Sequence, residues 1–171
     1  MSTMTDHQPK TTQVLATGFR LSKFKEHKGL SQETTAYSAV ITKDGKPFAA
    51  VSNDGHGGED MIRPLPRGGV TQHEAYTQIE AAAQEVFGED SFARESFLGE
   101  LLGHALTVAM MNRKRSIMFV FPEDGDFWTE GVYRVAPTSM TMEELRRALL
   151  RQKPEAKVWD KNLGDFVTVS A

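Results

Sequence analysis

The chain has no cysteine. That excludes disulfides, thiolate nucleophiles, iron–sulfur clusters and cysteine-based zinc sites, and it fits a reducing cytoplasm. Long apolar runs are missing too. None approaches the roughly 18 residues of a membrane span, so no membrane partner is expected. The opening MSTMTDHQPKTT lacks the apolar centre of a secretory signal, which points to a soluble protein. Charge of one sign is also scarce. A net charge of -3 is too mild for an acidic mimic of DNA and gives no basic footprint, so duplex nucleic acid is an unlikely partner. The five histidines include no pair at i, i+4 and no HExxH. A metal site would need His56, His73 and a carboxylate to meet through the fold, and the reading is no metal and no cofactor.

What is present suits one ordinary domain. Apolar residues make up 39% and charged residues 25% of 171, enough for a core with a well-solvated surface. Residues 1–12 are polar and read as a flexible tail, leaving 13–171 as a single domain. The apolar spacing over 15–24 predicts a strand, and 26–32 a turn. Residues 35–42 and 46–52 are β-formers on either side of Asp44-Gly45, a two-residue hairpin signal. Pro47 cannot donate to a ladder and is expected at a strand start or edge. A short extended piece is predicted over 61–65.

The period then changes. Thr71 and Glu74 form a capping box ahead of a helix that Gly88 ends. A longer helix is expected over 91–113, with a stripe containing Leu98, Leu101, Leu102 and Ala105. Gly99 and Gly103 cost about 1 kcal/mol each against alanine there, so they point to close packing, within the chain or across a homodimer. Residues 116–121 read as a central strand and 127–136 as its antiparallel partner. Thr141 and Glu144 open a third helix over 142–152, with Met140 stapled onto Leu145. A hairpin over 156–159 and 165–169 closes the chain. Strands that come in hairpins, with about three helices on one face, make an α+β fold with a mainly antiparallel sheet.

The polar residues of interest follow the Asp44-Gly45 hairpin. Asn53-Asp54-Gly55-His56-Gly57-Gly58 places an amide, a carboxylate and an imidazole among glycines. Successive backbone N–H groups in such a loop can form an anion-binding nest. It is neither a Walker A loop nor a GxGxxG that opens a helix. The plainer alternative is a tight turn in which Asn and Asp cap their own backbone. Pairing about Asp44-Gly45 brings Glu33, Thr34 and Thr35 toward the same end. That could be an acid–base site built on Asp54, His56 and Glu33, or a polar sheet end that satisfies itself. Arg63, after the loop, could close over a phosphate. The ligand-binding set is therefore Asn53, Asp54, Gly55, His56, Gly57, Gly58, Thr34, Thr35 and Arg63.

The run from Glu33 to Gly58 resembles small uncharacterised proteins of phages and other mobile elements. Their pattern is an acidic-Thr start, a DGK hairpin and an NDGxGG loop. Here Glu33-Thr34, Asp44-Gly45-Lys46 and Asn53 to Gly58 fit it. The match spans about a quarter of the chain and carries no established activity. It implies an accessory, counter-defence type of gene acting in the cytoplasm of a bacterial host. The expectation is a non-enzymatic protein that binds a host protein or a phosphate-bearing, nucleotide-like small molecule. The alternative is a small hydrolase acting on a phosphate or glycosidic bond.

Overall fold

The turn at Asp44-Gly45 has the backbone its sequence demands. Both residues have positive φ, 50° and 79°, which suits a two-residue hairpin. It joins β2 (Tyr37–Lys43) to β3 (Lys46–Asn53). The computed structural model describes residues 9–170. They fall into two compact units, Lys10–Ala105 and one containing Leu106–Ala171.

In the Lys10–Ala105 unit, β1 (Phe19–Glu26) and β4 (Met61–Arg63) complete an antiparallel sheet of order β1-β2-β3-β4. Alternation along the strands sends Tyr37, Ala39, Ile41, Ala49, Val51 and Ile62 to one buried face. α2 (Gln72–Phe87) lays Ala75, Ile79, Ala82 and Ala83 into the same core. α3 (Ala93–Arg113) adds Phe97, Leu98 and Leu101. Each large aliphatic side chain buried this way contributes about 1.5–3 kcal/mol. The Thr71–Glu74 capping box starts α2, and Gly88 ends it at φ 75°. Pro47 pairs with Thr42 outside the stretch of β3 that β4 covers, so its missing N–H costs no ladder bond there.

Two features of this unit differ from expectation. The strand over 15–24 begins only at Phe19. Before it, Thr11–Ala16 forms a short helix, α1. Gly18, at φ 89°, separates the two, and the Thr17 hydroxyl donates to the Val14 carbonyl. Buried Val14 belongs to the helix, so one apolar spacing ran across two elements. Of the expected tail, residues 1–8 lie outside the described residues, while Thr11 and Thr12 are helical. The second difference concerns Gly99 and Gly103. Both are exposed, and a Cβ on either would meet nothing within 4 Å among the described residues. Close packing within the chain is not seen at either glycine among the described residues.

The second unit has its own antiparallel sheet. Its strands are β5 (Met118–Val120), β6 (Arg134–Val135), β7 (Lys157–Asp160) and β8 (Asp165–Thr168), in the order β6-β5-β7-β8. β5 is internal, as expected. The strand expected over 127–136 shrinks to β6, because Phe127–Glu130 makes a helical turn, α4. Asp126 caps that turn by accepting from the Thr129 N–H, and Gly131 closes it at φ 69°. The turn seats Phe127 against Phe166 and Trp159, at centroid distances of 5.0 and 6.0 Å. α5 (Met142–Gln152) starts at the Thr141–Glu144 capping box and buries Leu145 and Leu149, with Met140 packed alongside. With two antiparallel sheets and five α-helices among the described residues, the fold is α+β.

Candidate functional site

Tyr37 stands opposite Asn53 at the open end of the hairpin. That register delivers Glu33 and Thr34 to the glycine loop. Gly55, at φ 86°, turns its carbonyl back into the fold. The backbone N–H groups of Gln32, Glu33 and Thr34 all donate to that oxygen, at 3.1, 3.0 and 3.3 Å. Three successive N–H groups around one oxygen form an anion nest. The nest lies on residues 32–34 rather than in the glycine loop, and the chain's own carbonyl occupies it. A Cβ at Gly55 would overlap the Leu30 carbonyl, which is why only glycine fits.

Asn53 organises the rest. Its Oδ1 accepts from the Thr34 hydroxyl at 2.8 Å and from the Gly55 N–H at 2.9 Å. Its Nδ2 donates to the Gly58 carbonyl at 3.0 Å and to Asp60 Oδ1 at 3.1 Å. The full capacity of the amide is thereby used. Thr34 Oγ1 in turn accepts from the Gly57 N–H at 3.3 Å. The Glu33 carboxylate lies against Gly57, where any Cβ would collide with it. Beneath, the buried Tyr37 phenol lies close to the Asp60 carboxylate. Burial first, and then the nearby Asp60 carboxylate, push the Tyr37 phenol well above its ordinary range.

Asp54 and His56 project from this frame into water. Asp54 Oδ1 accepts the His56 backbone N–H at 3.1 Å and lies 3.5 Å from His56 Nδ1. The side chains are 78% and 58% exposed, so no wall shields the pair from water. Thr35 makes none of these bonds. Arg63 is exposed on β4, opposite Ala50, about 10 Å along β3 from Asn53. Among the described residues its guanidinium contacts the Met61 sulfur, at 3.7 Å, and not the loop. No group of three or more His, Asp or Glu able to hold a metal occurs among the described residues, so His56 and His73 do not build one.

The loop leaves toward the helices through Glu59. Arg94 lies 3.7 Å from Glu59, 3.8 Å from Glu80 and 3.3 Å from Glu95, with its guanidinium over the Tyr76 ring. The exit of the loop is thus tied to α2 and α3. Exposed Leu30 and Met61 flank the tip, at 57% and 51%. Pairing about Asp44-Gly45 places Tyr37 opposite the 51–53 region in the sequence, and the register bears that out. Asp60 was missed as part of the cluster, because it sits seven positions beyond Asn53 with no local signal. Set against known protein families, curated proteins and solved structures, the chain matches none.

Proposed function

We propose that the chain is a non-enzymatic binding protein that grips a partner protein through the tip built from residues 30–34 and 53–61. One observation carries this reading. The donors of the cluster are spent inward, on Asn53 Oδ1, the Gly55 carbonyl and Thr34, which leaves a phosphate no preformed nest. The same bonds hold the outer side chains on a fixed frame. Leu30 and Met61 are apolar anchors, and Glu33, Asp54 and Glu59 make an acidic rim. Preorganised side chains lose little entropy on docking. The partner expected for such a tip has an apolar recess bordered by basic residues. The phage-like run from Glu33 to Gly58 makes a host protein in a bacterial cytoplasm the natural partner, and an accessory counter-defence gene the natural setting.

The rival is a small hydrolase in which Asp54, His56 and Glu33 work as acid and base. The 3.5 Å approach of Asp54 to His56 favours it. The two readings separate by experiment. A photo-crosslinker at position 30 or 56 should give one discrete adduct in host lysate, lost in Glu33→Lys/Asp54→Lys. The same crosslinker at Leu163, in the other unit, should not give it. Equal adducts from all three positions would end the protein-docking reading. A turnover abolished by both Asp54→Ala and His56→Ala would replace it with the hydrolase. Phage genes beside this one are expected, and a metabolic operon would argue against the setting.

A further inference from the structure

The face of the first sheet that points away from its core has a charge pattern of its own. Antiparallel partners share a face. One row runs Lys25, Ser38, Ser52, Met61 and the next runs Ser22, Val40, Ala50, Arg63. A third pairs Arg20 with Thr42. These rows hold no carboxylate, in a chain whose net charge is -3, and two exposed cations, Lys25 and Arg63. The Arg20 guanidinium is turned instead to buried His104 of α3, at 3.5 Å. Lys25 and Arg63 stand exposed on the two outer strands in neighbouring rows, about 16 Å apart. The floor between them is made of small half-buried residues, Ser38, Ser52, Val40 and Ala50, with the His27 ring 3.2 Å from the Ser38 hydroxyl. Exposed Lys23 adds a further ammonium at the β1 edge.

We infer that this face is a second docking surface, bordering the tip at Met61 but using different charged groups, and that it takes an acidic segment of a partner protein. Charge complementarity selects an anionic partner. Aromatic residues are absent from the rows, so the face offers no platform for stacking bases, which argues against single-stranded nucleic acid. Strand addition along β1 is disfavoured as well. The register breaks between Ser22 and Lys25, and Lys23 has φ 49°, a bulge that spoils the edge. The segment therefore lies across the face. Carboxylates near Lys25 and Arg63 would meet both cations while its backbone crosses the serine floor.

The test uses the full chain and a fluorescent oligoglutamate peptide, followed by anisotropy at low salt. Binding should weaken about tenfold in Lys25→Glu/Arg63→Glu. The pair Arg146→Glu/Arg151→Glu, also exposed and of equal charge change, should alter it by about twofold or less. Asp54→Ala should leave it unchanged, which separates this face from the tip. Thermal melts of each variant check that the fold is kept. The proposal falls if the peptide does not bind or if the two charge-reversal pairs weaken it equally. It falls too if oligo-dT of matched charge binds more tightly than the peptide.

Discussion

At the end of the β2–β3 hairpin, polar groups bond inward, to Gly55 and to one another. In the second unit they gather around one ring, with exposed Arg134, Lys153 and Glu123 about a largely covered Asp124. There Arg134 grips Asp124 with two bonds of 2.8 and 2.7 Å, and Asp124 also accepts the Phe121 N–H. Lys153 donates to Glu123 at 2.8 Å. The Arg134 and Lys153 cations lie 4.4 and 5.4 Å from the centroid of the Phe121 ring. The Arg134 bonds, and then the Phe121 N–H, hold the Asp124 carboxyl at about 2, below its ordinary 3.8. The inward cluster relies on exact fit among partly buried dipoles. The surface cluster relies on charge, which salt screens and acid removes. The first should therefore break by shape and the second by pH.

Gly55→Ala should have the largest effect. It forces a side chain at φ 86° into the Leu30 carbonyl, and a loss of about 3 kcal/mol or more is expected. Gly58→Ala, with nothing within 4 Å of its Cβ, should cost about 0.5 kcal/mol or less. Hydrogen exchange at the β2 and β3 amides reads both. The two tryptophans, Trp128 and Trp159, belong to the other unit, so their fluorescence transition should hardly move. Loss of both units together would show that they unfold as one.

Asn53→Ala comes next. It strands the Asp60 carboxylate, the Thr34 hydroxyl and the Gly55 N–H, at a cost of about 2 kcal/mol. Denaturant melts of this variant should be nearly independent of salt. Strong salt dependence would mean that the cluster works by charge after all.

The pH response should separate the two regions by sign. Asp124 is lowered in the folded state. Its stabilisation is present above about pH 4 and is lost as pH falls toward about 2. Tyr37 is raised. Its contribution is present below about pH 10 and is lost as pH rises beyond that. Tryptophan fluorescence should show acid sensitivity that Asp124→Asn flattens. Exchange at β2 should show alkaline sensitivity that Tyr37→Phe flattens. The opposite assignment would overturn the comparison. His56→Ala should have the smallest effect on stability, about 0.5 kcal/mol or less, because the side chain is mostly in water. A larger loss would place His56 in the frame rather than on the tip.

The local signals in the sequence were strong where neighbours in the chain decide the outcome. Asp44-Gly45 set the hairpin register through turn geometry. Thr71 with Glu74 and Thr141 with Glu144 marked helix starts, because a capping box spans only four residues. Signals failed where one apolar pattern served two elements, as at Val14 to Phe19. They failed again where Asp126 and Gly131 cut a short helical turn out of an apparent strand. At the candidate site, the glycines and the approach of Glu33 and Thr34 could be read from the hairpin. The occupant of the nest could not be read, because a backbone carbonyl has no sequence signature.

The sequence by itself determined the α+β class, the hairpin, the capped helices and the gathering of polar residues at one sheet end. Turn angles and caps depend on residues a few positions apart. Only the tertiary structure decided that the Gly55 carbonyl fills the nest, that Tyr37 and Asp60 underpin Asn53, and that Asp54 and His56 face water. Those outcomes depend on which groups desolvate together, and partners far apart in the chain settle that.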